Sequence, residues 1–111
     1  MRNSGAVFSP GERAHCFSRP DPDASLTGLL SAKEAFVKAA SAMGGAPDYS
    51  FRDIEVVHGT AGQPRVRLHK ELARWCQERN IDVEVSISHT GGMAGAVVVL
   101  LAQPTESGGQ P

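Results

Sequence analysis

The amino-acid sequence predicts an α+β domain in which a largely antiparallel sheet packs against one long helix and one or two short helices. Two observations carry this prediction. Apolar residues recur at three- and four-residue steps through residues 24–43, which is the period of a helix, and they alternate with polar residues in much of the second half, which is the period of a strand. Glycines and prolines separate these segments, so the order is helix, strand, strand, helix, strand, strand.

The length and composition fit one domain. The chain has 111 residues, of which 41% are hydrophobic and 21% charged, and these proportions are typical of a folded globular protein. A chain of this size buries roughly two-thirds of its unfolded surface, enough for one modest core. We expect a tail over residues 1–8, the domain over residues 9–102, and a disordered tail over residues 103–111.

The first half is predicted to be helical. Ser9 is a suitable N-cap for a short helix that has Pro10 at its first position, Glu12 at its third, and an end near Phe17. The proline-rich residues 19–23 break that helix, and a longer one runs from about 24 to 43. Its apolar stripe comprises Leu26, Leu29, Leu30, Phe36, Val37, Ala40 and Met43.

The second half is predicted to contain four strands and one helix. Residues 51–57 and 65–68 form two strands joined by a glycine-containing turn, and a short amphipathic helix follows from 68 to about 79, with Asn80 as a left-handed cap. Residues 83–87 alternate and have one buried and one polar face. Residues 94–101 are almost wholly apolar, and we expect this strand to be central.

Several classes of protein are disfavoured by the composition. The net charge of −1 offers no general attraction to nucleic acid or to a membrane surface. The longest apolar run, residues 94–102, is far below the roughly 20 residues of a membrane helix, and the start of the chain does not resemble a signal peptide. Cys16 and Cys76 are too few for a disulfide scaffold, and neither they nor the scattered histidines have zinc-ligand spacing. We therefore expect a reduced, cytoplasmic domain.

Glu34 and Lys38 form one candidate site. They are four residues apart, so they share one face of the predicted helix. There the carboxylate could ligate a hard cation such as Mg²⁺ and the lysine could neutralise phosphate oxygens. The same spacing is equally that of an ordinary surface ion pair, worth only about 0.3–0.5 kcal/mol.

Residues 86–92, with the sequence S-I-S-H-T-G-G, form a second candidate site. Hydroxyl groups, a histidine and small residues at a strand end suit contact with a phosphate or an adenine ring, because glycine lets a ligand approach the backbone. Ser88 and His89 are adjacent and so point to opposite faces of a strand, which argues against a Ser–His nucleophilic pair. The alternative is a polar turn after a strand.

The glycine-containing turn at residues 59–64 is less informative. It lacks the spacing and the lysine of a Walker loop, so alone it predicts only a hairpin turn.

The order of these segments resembles that of the 4′-phosphopantetheinyl transferases of the holo-acyl-carrier-protein synthase type. Family members carry a K-E-A-x-x-K helix, a D-I-E-V-like strand, a G-x-P turn, a helix, and an S-x-S-H strand followed by a strand of small residues. This chain reads S-A-K-E-A-F-V-K-A, F-R-D-I-E-V, G-Q-P-R-V-R-L, V-S-I-S-H-T and A-G-A-V-V-V, over about residues 8–101.

The resemblance implies an activity and a set of residues. Such enzymes transfer 4′-phosphopantetheine from coenzyme A to a serine of an acyl carrier protein in fatty-acid or polyketide synthesis, with Mg²⁺ on the pyrophosphate, and often as trimers. Glu34 matches the metal-binding glutamate, and Lys38 matches the lysine beside the phosphates. Lys33 belongs to the same motif without being required to touch substrate. Coenzyme A is expected to contact Lys38, Gly62, Pro64, Ser88 and His89.

Two positions depart from the family pattern. Many members have a lysine between the glycine and the proline of the turn, where this chain has Gln63, so one charge contact is removed. Members also begin with a Gly-x-Asp strand, whose aspartate is the other main metal ligand, and a basic helix that grips the carrier. Residues 1–8 lead almost directly into the segment that follows that helix. A single carboxylate implies weaker Mg²⁺ binding, unless another chain completes the site.

The departures leave a second function open. The chain could be a non-catalytic module of the same fold that binds coenzyme A or a carrier protein within a larger synthase. An unrelated small α+β protein is a third alternative.

Overall fold

The computed structural model describes residues 4–104, and its account of side chains begins at Ala6. The helices are α1 (Ser4–Val7), α2 (Pro10–Phe17), α3 (Pro22–Met43) and α4 (Lys70–Glu78). The strands are β1 (Ile54–His58), β2 (Pro64–Leu68), β3 (Ile81–Thr90) and β4 (Met93–Ala102), with a single 3₁₀ turn at Phe51–Asp53. The predicted α+β class and the order of the elements are confirmed.

The start of α2 follows its sequence signal closely. The hydroxyl of Ser9 accepts a hydrogen bond from the backbone N–H of Glu12 at 3.1 Å, and the Glu12 carboxylate accepts one from the backbone N–H of Ser9 at 2.8 Å. Each group thus satisfies a donor that a helix start leaves unpaired. The predicted start at Ser9 and end at Phe17 are both confirmed.

The strands form two antiparallel pairs. β1 pairs with β2 and β3 pairs with β4, each in a continuous register. Helix α3 lies across β3 and β4 and supplies residues to two hydrophobic clusters. One cluster is centred on Phe36, Leu72 and Trp75, and the other on Phe8 and Leu29.

The prediction that the last strand is central is wrong for the single chain. Among residues 4–104, β4 pairs only with β3. The side chains of Met93, Val97, Val99 and Leu101 are exposed on its outer face, while the alternate side chains pack inward. A long apolar run indicates burial on both faces, but it does not say which molecule covers the second face.

The segments beside the predicted domain make contacts of their own. Residues 4–7, which the sequence predicted to belong to a tail, form α1, and Phe8 is fully buried. At the other end the backbone N–H of Gln103 donates to the carbonyl of Asn80 at 2.8 Å. The rest of the two predicted tails, residues 1–3 and 105–111, lies outside the described residues.

Within residues 4–104 no helix is both long and apolar enough to cross a membrane.

Candidate functional site

A cleft of about 420 Å³, here called the main cleft, lies where α2 ends, α3 begins and the β1–β2 turn meets the end of β3. Gly62, Pro64 and His89 line it. The sequence separates His89 from the turn by more than twenty residues, so the fold brings together two segments that are distant in the chain. Apolar walls come from Leu29 and Ile87.

The β1–β2 turn is tight where it meets the cleft. The backbone N–H of Gly62 donates to the carbonyl of Gly59, and that of Gly59 to the carbonyl of Gln63, both at 2.9 Å. Gly62 has a φ of +86° and nothing within 4 Å of where a β-carbon would stand. Glycine suits this left-handed position, and the open space beside it lets a ligand approach the backbone.

Helix α3 holds His89 in place through a close approach at Gly28. A β-carbon on Gly28 would lie 2.8 Å from Cε1 of His89 and 3.1 Å from Cγ2 of Ile87. The absence of a side chain at Gly28 therefore lets β3 pack against the helix with the imidazole between them.

A second cleft of about 190 Å³ adjoins the main cleft. The two share Asp21, Ala24 and His89, and the second one extends past Thr27 to the β3–β4 turn. Together they form a continuous concave surface along the first turns of α3.

Glu34 and Lys38 lie outside both clefts and are exposed on α3. They do not form the ion pair that their spacing allows, since neither takes part in a salt bridge within the described part of the chain. The stripe of α3 that contains them begins at the clefts, because Ala24, Thr27, Ser31, Glu34 and Lys38 follow each other at three- and four-residue steps. Glu34 is about 15 Å along the helix axis from Ala24.

Ser88 lies outside the clefts as well. It is exposed on the outer face of β3, opposite Gly95 of β4. His89 is on the inner face against α3, so the expected separation of the two side chains is confirmed. Within one chain the structure brings together Gly62, Pro64 and His89, but not Glu34, Lys38 or Ser88.

Lys33, the neighbour of Glu34, is fully buried and forms a salt bridge with Glu12 at 3.0 Å. Its ammonium group also donates to the carbonyls of Phe51, at 2.8 Å, and of Ile54. The second Glu12 oxygen accepts from the backbone N–H of Val56 at 2.7 Å. Burial lowers the pKa of Lys33, and the charge and hydrogen bond of Glu12 oppose that shift. This pair joins α2, α3 and β1.

Three basic residues of the main cleft were not singled out from the sequence. The rings of His15 and His58 stack with centroids 3.8 Å apart and planes 11° apart, and Arg19 lines the cleft beside them. Burial, and then the charges of His15 and Arg19, lower the pKa of His58. His15 lies on a predicted helix and Arg19 directly after it, but only the fold shows that His58 joins them.

The cysteines carry no visible chemistry. Both are free and buried, and burial raises the pKa of Cys16 to about 11, so little thiolate is present at neutral pH.

The described residues offer no ready-made cluster of metal ligands. They contain no group of three or more His, Cys, Asp or Glu side chains that could hold a metal ion. Mg²⁺ commonly keeps several waters and uses one or two carboxylates together with substrate phosphates. Glu34, exposed and outside any salt bridge of the described chain, fits one ligand of such a site.

Comparison with known proteins places the chain among related sequences and structures. Residues 2–97 match a family model described as the 4′-phosphopantetheinyl transferase superfamily. The chain is 37% identical over 103 residues to a holo-[acyl-carrier-protein] synthase of Moorella thermoacetica, which covers 92% of this chain and 79% of that protein. It is also 37% identical over 93 residues to the fatty acid synthase subunit alpha of Schizosaccharomyces pombe, covering 83% of this chain but only 5% of that protein.

Solved structures agree with the sequence matches. The ACPS–CoA complex of Chronobacterium ammoniagenes has a TM-score of 0.79 and 34% identity, covering 92% of this chain and 82% of that one. The holo-[acyl-carrier-protein] synthase of Helicobacter pylori in complex with coenzyme A has a TM-score of 0.72 and 32% identity, covering 91% and 83%.

Proposed function

This chain belongs to the 4′-phosphopantetheinyl transferase superfamily and is a phosphopantetheinyl transferase of the holo-[acyl-carrier-protein] synthase type, and we propose a role in the reaction for each candidate site residue. The reaction moves 4′-phosphopantetheine from coenzyme A to a serine of an acyl carrier protein or carrier domain. We assign the carrier to fatty-acid or polyketide synthesis. The observation that carries the assignment of the site is the meeting of Gly62, Pro64 and His89 in one cleft.

Coenzyme A is proposed to bind in the main cleft. The volume of the cleft, about 420 Å³, is within the range of small-molecule sites. Leu29 and Ile87 offer apolar contact to an adenine ring, and Arg19 and His89 can donate hydrogen bonds to phosphate oxygens. The open backbone at Gly62 leaves room for the ligand.

Glu34 is proposed as a ligand of Mg²⁺ and Lys38 as the cation beside the phosphates. When bound, Mg²⁺ supplies charge stabilisation to the pyrophosphate oxygens. Glu34 contributes a hard oxygen ligand, and Lys38, one turn further along α3, neutralises negative charge that the metal does not reach. One carboxylate is a small ligand set, so we expect weak Mg²⁺ binding in the absence of coenzyme A.

The reaction needs positioning more than covalent chemistry from the protein. The carrier serine oxygen forms a bond to the phosphorus that bears pantetheine, and the bond from that phosphorus to the bridging oxygen breaks. The nucleotide then leaves with the electron pair, and the serine proton is released. The role proposed for Lys38 is to stabilise the charge that spreads over the phosphate oxygens.

We further propose that the active form is a homo-oligomer, with a trimer as the specific expectation, or that another chain supplies a missing strand. The exposed apolar side chains of β4 support this, because surfaces of this kind mark interaction sites. Ser88 lies on the same face of the sheet, so it could contact a ligand that is bound between this face and a neighbouring chain. The free buried cysteines support a reducing, cytoplasmic location.

The decisive experiment is transfer to a carrier. The protein is incubated with coenzyme A, Mg²⁺ and an apo carrier protein, and the carrier is weighed by mass spectrometry. We expect a gain of the phosphopantetheine mass that Glu34→Gln abolishes. Glu78→Gln, which neutralises an exposed carboxylate on α4, is the matched control and should leave transfer intact. No gain of mass, with a known synthase working alongside, would overturn catalysis by this chain.

The alternative is a non-catalytic module that binds coenzyme A or a carrier. The observation that favours it is the lack, within residues 4–104, of a ready-made cluster of metal ligands. Calorimetry separates the two functions. Coenzyme A binding that is indifferent to Mg²⁺ and to Glu34→Ala supports the module, whereas binding strengthened by Mg²⁺ only when Glu34 is present supports the enzyme.

A further inference from the structure

The main cleft has an excess of ionisable nitrogen groups at one end. His15 enters from α2, Arg19 from the connection between α2 and α3, His58 from the end of β1, and His89 from β3. The acidic side chain in the lining is Asp21, whose carboxylate already accepts a hydrogen bond from the backbone N–H of Ala24 at 3.1 Å. An anion entering this end therefore meets more donors than acceptors.

The stacking brings the ring of His15 close to that of His58. With their centroids 3.8 Å apart, two imidazolium rings would repel each other, so charge on the neighbouring groups opposes protonation of His58. Burial and the charges of His15 and Arg19 also lower the pKa of His58, so its neutral form prevails at neutral pH. A bound anion favours the protonated form of His58 instead, since it attracts the positive charge of the imidazolium ring.

We propose that the stacked imidazoles of His15 and His58, together with the guanidinium of Arg19, bind the phosphomonoester of coenzyme A in a protonation-coupled site, so that the protein takes up a proton as it binds this substrate. The inference rests on the proposed function, which places coenzyme A in the same cleft. The phosphomonoester is the fitting group because it approaches two negative charges at neutral pH. The pyrophosphate is assigned to the stripe of α3 that carries Glu34 and Lys38.

The other polar and charged residues of β2 and the turn do not supply positive charge to this end of the cleft. In the register of β1 and β2, His58 pairs with Pro64, whereas Arg65 and Arg67 pair with Val57 and Glu55 on the opposite face. Gln63, between the glycine and the proline of the turn, is uncharged and exposed. His58 is thus a source of positive charge that this cleft has at low pH and loses as pH rises.

The sign of the pH dependence follows from linkage. Because protonated His58 binds the anion better, affinity for the phosphomonoester rises as pH falls, by at most about tenfold per pH unit for one proton. We expect the preference for coenzyme A over 3′-dephospho-coenzyme A, measured by calorimetry, to grow roughly three- to tenfold from pH 8 to pH 6.5. Coenzyme A binding at pH 7 should also show proton uptake, seen as a heat that depends on the ionisation enthalpy of the buffer.

Three variants test the assignment. His58→Gln should flatten the pH dependence of the preference and remove the proton uptake. His58→Lys should keep the preference but make it independent of pH. His69→Gln, which removes an imidazole that contacts Glu55 outside the cleft, is the matched control and should behave as wild type. Circular dichroism checks that each variant is folded.

The outcomes separate this inference from the proposed function. A wild-type preference that is the same at both pH values, or a pH dependence unchanged in His58→Gln, overturns the histidine site even if the carrier is modified normally. If the wild-type protein neither binds coenzyme A nor modifies the carrier at pH 8, the proposed function fails, and the histidine site fails with it.

Discussion

At the residue scale, Lys33 and Lys38 show that two lysines of one motif can lie in opposite environments, one buried and one exposed. They are five residues apart, so they point about 140° away from each other around α3. Lys33 faces the core, where Glu12 and two backbone carbonyls satisfy its ammonium group, and Lys38 faces solvent. The motif contains both residues, but only the direction of the helix face distinguishes a structural lysine from a candidate functional one.

The first prediction uses this contrast. Lys33→Met leaves the Glu12 carboxylate buried without its cation, and we expect it to lower the free energy of unfolding by about 3–5 kcal/mol. Lys38→Met, on the exposed face, should change stability by less than about 0.5 kcal/mol while abolishing transfer. Urea denaturation and the carrier mass assay measure the two effects.

A double variant keeps this prediction testable if Lys33→Met does not fold. Glu12→Gln with Lys33→Met removes both charges, so its loss of stability should be smaller than that of Lys33→Met alone. If the double variant is as unstable as the sum of the single ones, the charge pair is not what stabilises this part of the core.

At the element scale, the contact between α3 and β3 depends on Gly28. Sequence periodicity predicted the helix and the strand, but it did not indicate where they would approach each other. The site is Gly28, where the helix lies directly against His89 and Ile87. Glycine inside a helix costs roughly 0.5–1 kcal/mol relative to alanine, so the fold accepts a weaker helix in return for this packing.

The second prediction follows from that approach. Gly28→Ala should displace the ring of His89 from its position in the main cleft, and coenzyme A affinity measured by calorimetry should fall several-fold. In a His89→Ala background the obstacle is smaller, so Gly28→Ala should cause little further loss of affinity. An equal loss in both backgrounds would show that the effect does not pass through His89.

Capping shows what local sequence can specify at this scale. Ser9, Pro10 and Glu12 predicted the start of α2 because every interaction of a capping box lies within three residues. The same Glu12 also reaches Val56 and Lys33, and that role was not predicted because it depends on the packing of distant segments.

At the scale of the whole molecule, the outer face of β4 is the main departure from expectation. The exposed fraction of Val97 is 63%, which is unusual for a valine in the middle of a ten-residue strand. The apolar run at residues 94–101 correctly indicated a strand whose two faces are both apolar. Within one chain, however, this face is not covered by any described residue, and the proposed oligomer would cover it.

The third prediction tests that oligomer. Val97→Glu places a charge on the outer face, and we expect sedimentation to show a shift from oligomer to monomer, because an unpaired charge in an apolar interface is strongly unfavourable. The unfolding free energy of the single chain should hardly change, since Val97 is exposed there. Gln77→Glu adds the same charge on exposed α4 and should leave the oligomer intact. A wild-type protein that is monomeric while active would overturn the proposed assembly.

The sequence by itself determined the α+β class, the order of the elements and the family resemblance, because these depend on local period, turn residues and motif order. Through that resemblance it also identified Gly62, Pro64 and His89 as candidate coenzyme A contacts. Only the tertiary structure decided that these three share a cleft with His15, Arg19 and His58, that Glu34 and Lys38 lie on an exposed stripe outside it, and that Ser88 faces away. The physical reason is that a period specifies which residues share a face, whereas the element that packs against that face is chosen by contacts between residues far apart in the chain.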